Sequence, residues 1–416
     1  MARPADGLSA SYLGQGFGAL SVLLLSIALV LISTLTVVER WFDGIDRAAI
    51  WHRQVAMVGV VLLVPHIVLA SGGSSSVGGT LGIIGAVGLG VLALWAFLPR
   101  WRSVLPERLV RSVLERREVR GGVQEVGKLL GGYSRWRSVH RTTGLFVVSG
   151  FVHGLLDESV FADAPALRWS YLVVGAVGVA FYVYRELFSR YVLAHHDYEV
   201  ETVRPIDDSV VEITLRPLGG GIRFVPGQFA IVFIEAKDGW HRHPFTLSSA
   251  PSEGRVRITV KALGDYTSHL DELVQEGMPA VIGPPHGHFD RRRGTDRQVW
   301  IAGGIGVTPF LSWLRSLDGE LDQRVDFFYS TDHVSPFADE IREIADHYAS
   351  LRVHLVDSSV SGFLTTVDIL ASIEEPPARL SVFMCGPERM LELFQDELKD
   401  AGVPARHIYR EHFDWR

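Results

Sequence analysis

Apolar residues are spread unevenly along the chain. Up to residue 187 they form long runs, at 17–38, 51–71, 81–98, 141–156 and 169–187. About 20 apolar residues let a helix cross a hydrocarbon core, so these runs predict five helical spans, some short or polar-ended. Beyond residue 191 the pattern shortens to alternating stretches punctuated by Gly and Pro. Segments 210–215, 229–234 and 256–260 read as strands of a small antiparallel barrel. From residue 298 the rhythm changes again. Val299-Trp300-Ile301-Ala302 reads as a buried strand leading into a glycine-rich turn and a helix starting near Pro309. Further strands at 325–329, 353–356 and 382–384 alternate with helical stretches, as in a parallel α/β sheet. The expected architecture is multi-domain: an α-helical transmembrane bundle over 17–190, an antiparallel β-barrel over 196–294 and an α/β nucleotide-binding domain over 296–416.

Charge orients the spans. Between residues 99 and 142 lie eleven Lys and Arg against four Glu, whereas 71–80 is uncharged and 155–166 carries Asp157, Glu158 and Asp163. The positive-inside rule puts the basic connection in the cytoplasm and the other two outside. Everything after residue 187 then lies in the cytoplasm, in a bacterial-type plasma membrane. The first span has no basic leader or clear cleavage site and reads as a membrane helix. Segment 104–130 is either a basic surface helix on anionic headgroups or a solvated charged helix. A net charge of -7 gives no reason to expect nucleic acid, and one cysteine, Cys385, excludes an intrachain disulfide.

Four histidines fall in these apolar runs or at their edges. His52 and His66 are fourteen residues apart; His140 and His153 are thirteen apart. At 1.5 Å per residue each pair spans roughly 20 Å of helix. Imidazole is an axial ligand of haem iron, so two adjacent helices with these spacings would hold two stacked haems. The alternative is that the imidazoles only hydrogen-bond between helices. Fourteen residues is close to four turns and keeps both rings on one face. Thirteen is about 3.6 turns, so His153 needs a kink, bulge or swung rotamer.

Gly303-Gly304-Ile305-Gly306-Val307-Thr308-Pro309 sits at a strand-to-helix turn. Glycines there let backbone approach a pyrophosphate, and the helix N-terminus offers amide donors. Pro309 suits a first helical turn. A tight turn with no ligand is the competing reading.

Several patterns together carry a resemblance. His243-Pro244-Phe245-Thr246-Leu247-Ser248-Ser249 resembles the flavin-binding signature of the NADPH oxidase and ferric reductase family. Gly264-Asp265-Tyr266-Thr267 is similar to its G-D-W-T stretch, with Tyr replacing Trp. The 303–309 segment and Cys385-Gly386-Pro387 resemble its two nicotinamide-side motifs. Pro226-Gly227-Gln228-Phe229 and 283–289 match ferredoxin-reductase-type patterns more loosely. The histidine spacings are similar to the family's bis-haem core. The resemblance runs from about residue 17 to the C-terminus, although the family usually has six spans.

The resemblance implies a bacterial NADPH-oxidase-like membrane flavocytochrome b. Its bundle would hold two haem b, followed by a ferredoxin-reductase-like module with FAD in the barrel and NADPH or NADH on the α/β domain. It implies that His243, Pro244, Phe245 and Thr246 line the flavin. Thr259, Val260 and Lys261 lie on the next strand, with Lys261 at the FAD pyrophosphate or simply solvated, and Thr267 near the same phosphates. Gly303, Gly304, Gly306, Val307, Thr308, Pro309, Gly386 and Pro387 would hold the nicotinamide nucleotide. Cys385 would sit beside the nicotinamide without acting as a redox thiol. Phe413, in Glu411-His412-Phe413, would stack on the flavin, with Trp415 as competitor. Phe146 would stand between the haems, or face lipid. Arg53, Arg137 and Arg141 would either bind inner-haem propionates or set topology.

The nicotinamide and the acceptor stay open. The second nucleotide strand ends Tyr329-Ser330-Thr331-Asp332, and Asp332 repels a 2′-phosphate if it faces it, which leans toward NADH or dual use. The acceptor is O2, giving superoxide, or a ferric chelate. A third reading is an electron-supplying subunit for a separate periplasmic or quinone-linked partner, although a protein partner is not required.

Overall fold

The computed structural model describes residues 9–33, 35–42, 44–70, 76–97, 139–156, 165–188, 195–237, 239–263, 267–333 and 335–411. The chain divides into two compact units, Met1–Ser189 and Arg190–Arg416.

The first unit is helical. α1 (Ala10–Leu31) starts where the Ser9 side chain accepts from Tyr12 N, 3.2 Å away. It begins and ends earlier than the apolar run predicts. Ile32 leaves helical geometry at φ -94°, ψ 8°, and Val37 and Val38 belong to a short α2 (Thr36–Phe42). β-Branched Ile32 beside Ser33 weakens helix continuation there. α3 (Ile45–Leu69) runs through Pro65; α4 (Val77–Phe97), α5 (Thr143–Leu156) and α6 (Pro165–Val183) follow, and α6 ends in one π turn, Tyr184–Phe188. Among the described residues four segments are long and apolar enough to cross a membrane: Ala10–Leu31, Arg47–Leu69, Val77–Trp95 and Pro165–Phe188. The expected fifth, α5, has 14 residues. His140 precedes it across a turn at Arg141 and Thr142, where Thr143 Oγ1 donates to His140 O at 2.6 Å.

Small residues that let backbones approach closely and interhelical hydroxyls hold these helices together. Ser21 Oγ donates to Gly59 O (2.7 Å), Ser149 Oγ to Leu81 O (2.8 Å) and Tyr171 OH to Phe151 O (3.1 Å). A Cβ on Gly178 would lie 2.6 Å from Ser26 Cβ. The outer faces are apolar: Val61, Val64 and Val68 of α3 and Ile83, Val87 and Leu94 of α4 are all more than half exposed.

The second unit has two sheets. The first is antiparallel, in the order β4-β3-β6-β1-β2-β5. Its strands are β1 (His196–Pro205), β2 (Val210–Pro217), β3 (Phe229–Ala236), β4 (Gly239–Thr246), β5 (Val256–Lys261) and β6 (Pro279–His286). A Leu247–Ile258 bridge draws its two edges together around Ile213, Val232, Ile258 and Ile282. The second sheet is parallel, in the order β11-β10-β7-β8-β9. It comprises β7 (Arg297–Gly303), β8 (Arg324–Thr331), β9 (Leu351–Asp357), β10 (Ser381–Cys385) and β11 (Ile408–Glu411). Every residue of β7 is buried, as expected for a strand covered on both faces. α7 (Thr308–Arg315) and α8 (Ala338–Ala345) pack with Trp300 and Phe327 on one face. α9 (Thr366–Ala371) and α10 (Glu388–Asp400) pack with Val299 and Phe328 on the other.

Candidate flavin, nicotinamide and haem sites

The chain leaves β7 for β8 and β9 on one side and returns to β10 and β11 on the other. The strand order therefore reverses between β7 and β10, where open α/β sheets bind ligands beyond their carboxyl ends. Both glycine motifs meet there. Ala302 pairs in register with Cys385. A Cβ on Gly306 would lie 2.2 Å from Cys385 O, and one on Gly303 would lie 2.7 Å from Met390 Cε and 2.9 Å from Pro387 Cδ. Gly304 is needed for its conformation, with φ +52°. The Gly303–Gly306 turn and Cys385-Gly386-Pro387 are thus one feature, from which α7 and α10 both start with their amide ends toward the crevice. Val307, Thr308 and Pro309 are buried in the core, so their side chains fix the turn and only backbone faces a ligand.

The H-P-F-T-L-S-S segment splits in two. His243 and Phe245 on β4 are half-buried, with ring centroids 5.9 Å apart, and His243 stacks on His241. Thr246 is buried. Ser248 and Ser249 turn away from this face: Ser248 Oγ lies 3.0 Å from Thr259 Oγ1, and both serine carbonyls accept bonds from α7. Val260 lies in the barrel core and Thr259 is enclosed against Ser248. Of the expected β5 ligands only Lys261 presents a partly exposed side chain. Thr267 Oγ1 accepts from Leu263 N at 3.0 Å; Gly264, Asp265 and Tyr266 lie outside the described residues.

Cys385 is fully buried at the end of β10. Burial, and then the charge of Glu411, push its thiol well above the ordinary range, which suits packing and not nucleophilic attack. Glu411, 8% exposed, is the functional candidate the sequence reading passed over, having used Glu411-His412-Phe413 only for its aromatic. Its carboxylate also faces Gly287, whose Cβ would lie 3.8 Å from Oε1. Phe413 and Trp415 lie outside the described residues.

In the helical unit the four histidines meet as two pairs. His52 and His140 have ring centroids 6.4 Å apart, and His66 and His153 6.2 Å. Two imidazoles on opposite sides of one metal, each bonded at about 2 Å, place their centroids about 6.3 Å apart. Nδ1 of His52, His66 and His153 lies 2.8, 2.9 and 2.9 Å from the carbonyls of Ala28, Gly14 and Gly78. A carbonyl only accepts, so Nδ1 carries the proton and Nε2 keeps its lone pair for a metal. Gly18 and Gly82 make room for the His66 and His153 rings: Cβ atoms there would lie 2.6 Å from His66 Nδ1 and 3.0 Å from His153. Both rings line a mostly apolar cavity of about 70 Å³, shared with Leu63, Gly85 and Gly150. Among the described residues no three metal-ligating side chains gather. Paired imidazoles therefore suit a porphyrin iron, which brings its own equatorial ligands, better than a bare ion.

The residues around the pairs are more varied. Phe146 packs inward with Leu25, Leu63, Leu89 and Val147, and its ring fills the place of a Cβ on Gly88. Arg141 is paired with Glu186, a partner it would share with a haem propionate. Arg53 is exposed, and Arg137 lies outside the described residues.

Residues 195–387 match the FAD-binding domain family. A flavohemoprotein of Deinococcus radiodurans is 27% identical over 225 residues, 49% of this chain and 55% of its own length. The carnitine monooxygenase reductase subunit of Escherichia coli is 27% identical over 228 residues, 52% of this chain and 68% of its own. The chain thus spans little more than half the length of the flavohemoprotein it matches. A flavohemoglobin structure from Malassezia yamatoensis superposes with a TM-score of 0.51 at 16% identity, over 97% of this chain and 98% of that one, a likeness of fold. From residue 195 the chain thus carries an FAD-binding domain similar to that of flavohemoproteins and reductase subunits, the module of a flavin-dependent oxidoreductase.

Proposed function

We propose that this chain carries electrons from cytoplasmic NAD(P)H through FAD and two b-type haems across a membrane to an acceptor on the far side, first O2 giving superoxide and second a ferric chelate. The observation that carries the proposal is the pair of imidazole pairs, each with the centroid separation of a shared metal, about 20 Å apart along α3. FAD, when bound, divides a two-electron donor into the single-electron steps that haem carries.

The chain's own residues then have distinct tasks. The Gly303–Gly306 turn and the starts of α7 and α10 would seat the nucleotide's pyrophosphate. His243 to Thr246 and Lys261 would hold FAD. His52 with His140, and His66 with His153, would hold the two haem irons. Asp332, exposed just after β8, would repel a 2′-phosphate facing it, which leans toward NADH or dual use. Four apolar spans with exposed aliphatic faces support an integral membrane location, and the basic 99–142 connection supports a cytoplasmic reductase unit.

The test is anaerobic addition of NADH or NADPH to FAD-loaded protein in detergent. Reduced bis-imidazole haem spectra, reoxidised on admitting O2 with superoxide release, are the expected result. Reoxidation only by a ferric chelate selects the second acceptor. Flavin reduction in a haem-loaded sample whose haem stays oxidised refutes the route.

A further inference from the structure

α7 begins at the dinucleotide turn, and its far end is bonded to the flavin segment. Ser312 Oγ donates to Ser249 O at 2.9 Å, and Trp313 Nε1 donates to Pro226 O at 3.0 Å. Arg315 makes the most extensive contact. Nη1 donates to Ser248 O (2.9 Å), Nη2 to Glu212 Oε2 (3.0 Å), and Nε to Glu340 Oε1 (2.6 Å). Its side chain is 5% exposed and that of Glu212 4%, so water does not screen the pair. Glu212 belongs to β2 of the barrel and Glu340 to α8 of the nucleotide domain. One planar guanidinium therefore joins two domains and the backbone just after the flavin-lining residues. Lysine, a point charge on a flexible stem, cannot satisfy the three directions together.

The distances involved are short. α7 has eight residues, about 12 Å of helix. At its start Gly306 lies against Cys385; at its end Arg315 holds Ser248, two residues after Thr246. The seam allows little slack, since a Cβ on Gly227 would lie 2.5 Å from Trp313 Nε1.

We infer that Arg315 is a positioning residue for hydride transfer: through Ser248 and Glu212 it sets the flavin segment against the helix that seats the nicotinamide nucleotide. Arg315 touches neither cofactor in this role. The inference rests on the NAD(P)H-to-FAD reading and is independent of the haems.

Anaerobic stopped-flow reduction of the FAD-loaded full chain by NADH tests it. The transfer rate constant at saturating NADH, the NADH Kd and the flavin–nicotinamide charge-transfer absorbance are read together. Arg315→Met should slow transfer on the order of 10–100-fold, the scale expected for a displacement of about 1 Å at the reacting atoms. FAD content and NADH Kd should stay within about twofold, and the charge-transfer band should weaken. Arg315→Lys should recover only part of the rate. Glu212→Gln, which acts across the domains, should slow transfer more than Glu340→Gln, which acts within one. Ser312→Ala removes a single hydroxyl from the same seam and decides the matter if Arg315→Met does not fold; a severalfold slower transfer at unchanged Kd is expected. A folded, FAD-loaded Arg315→Met or Ser312→Ala protein with wild-type transfer and an intact charge-transfer band overturns the inference. Wild-type protein whose flavin neither NADH nor NADPH reduces overturns the reading beneath it instead.

Discussion

Glu411 stands directly beside Cys385: the two are paired residues of the parallel strands β10 and β11, both are buried, and the acid's charge acts on the thiol. The thiol is accordingly held protonated. A group whose folded pKa is raised contributes stability that is present below its unfolded pKa, about 8.5 for cysteine, and lost as pH rises through the folded value. Native protein should resist thiol alkylation at neutral pH and react fully in denaturant. Its stability should decline on the alkaline side, a decline that Cys385→Ser lessens. Glu411→Gln should bring the onset of alkylation to lower pH. Rapid alkylation of the folded chain at pH 7 would show the thiol to be accessible and ionised.

Asp326 is completely buried among Arg297, Arg352 and His354, with His354 Nε2 2.8 Å away and Arg352 Nε 3.1 Å away. Burial alone would raise its pKa. Hydrogen bonds from His354 and Arg297 and the charges of Arg297 and Arg352 outweigh burial and hold the carboxyl below the usual range. A lowered folded pKa stabilises above the unfolded value, near 3.9, and that contribution disappears as pH falls through the folded one. Asp326→Asn leaves Arg297 buried with Glu375 as its remaining carboxylate. The expected loss is about 3 kcal/mol at pH 7, at the low end for a broken buried pair, with a flatter acid limb in urea melts. An unchanged acid limb would assign the acid sensitivity to other carboxylates.

Whether an element was legible in the sequence followed from its burial. β7 and β10 sit under helices on both faces, so their unbroken apolar runs identified them. β1 was hidden by charge on its partly exposed face, and β6 by Pro279, Pro284 and Pro285, which read as turn residues. Ser248 and Ser249 were recognisable as motif, yet their partners Ser312 and Arg315 lie more than sixty residues away and no local pattern announces them. Glu411 was passed over because a short edge strand before the terminus looks like a tail. The thirteen-residue histidine spacing was read as needing a distortion, and the chain supplies a turn at Arg141 and Thr142 between His140 and α5.

The two-haem proposal makes the outer site separable from the inner one. His66→Leu removes one ring of the 6.2 Å pair and leaves His52 and His140 untouched. One haem per chain should remain, reducible by NADH through FAD, while turnover with an external acceptor is lost. Gly82→Leu should have the same effect with all four histidines present, because even its Cβ meets the His153 ring at 3.0 Å. Pyridine haemochrome counting checks both. Two haems with unchanged low-spin spectra in His66→Leu would refute the ligand assignment.

Phe146 tests the space between the pairs. It lies six residues after His140 and seven before His153. Its ring is half-buried with Leu25, Leu63, Leu89 and Val147, residues of α1, α3, α4 and α5, so it fills the inside of the bundle at mid-depth. Phe146→Ala should cost less than the about 3–5 kcal/mol of a fully buried ring, because part of its surface is already open. The functional effect should be larger than the stability effect. Water entering that gap and a relaxed helix separation would slow transfer between the proposed haems, or release one of them, while NAD(P)H-to-FAD reduction stays unchanged. Gly88→Ala reaches the same point from the opposite helix, since a Cβ there would lie 2.1 Å from Phe146 Cδ1 and must displace the ring. Flavin reduction, haem content and acceptor turnover measured on both variants should therefore move together. Wild-type acceptor turnover and two haems in Phe146→Ala would reduce the residue to packing alone.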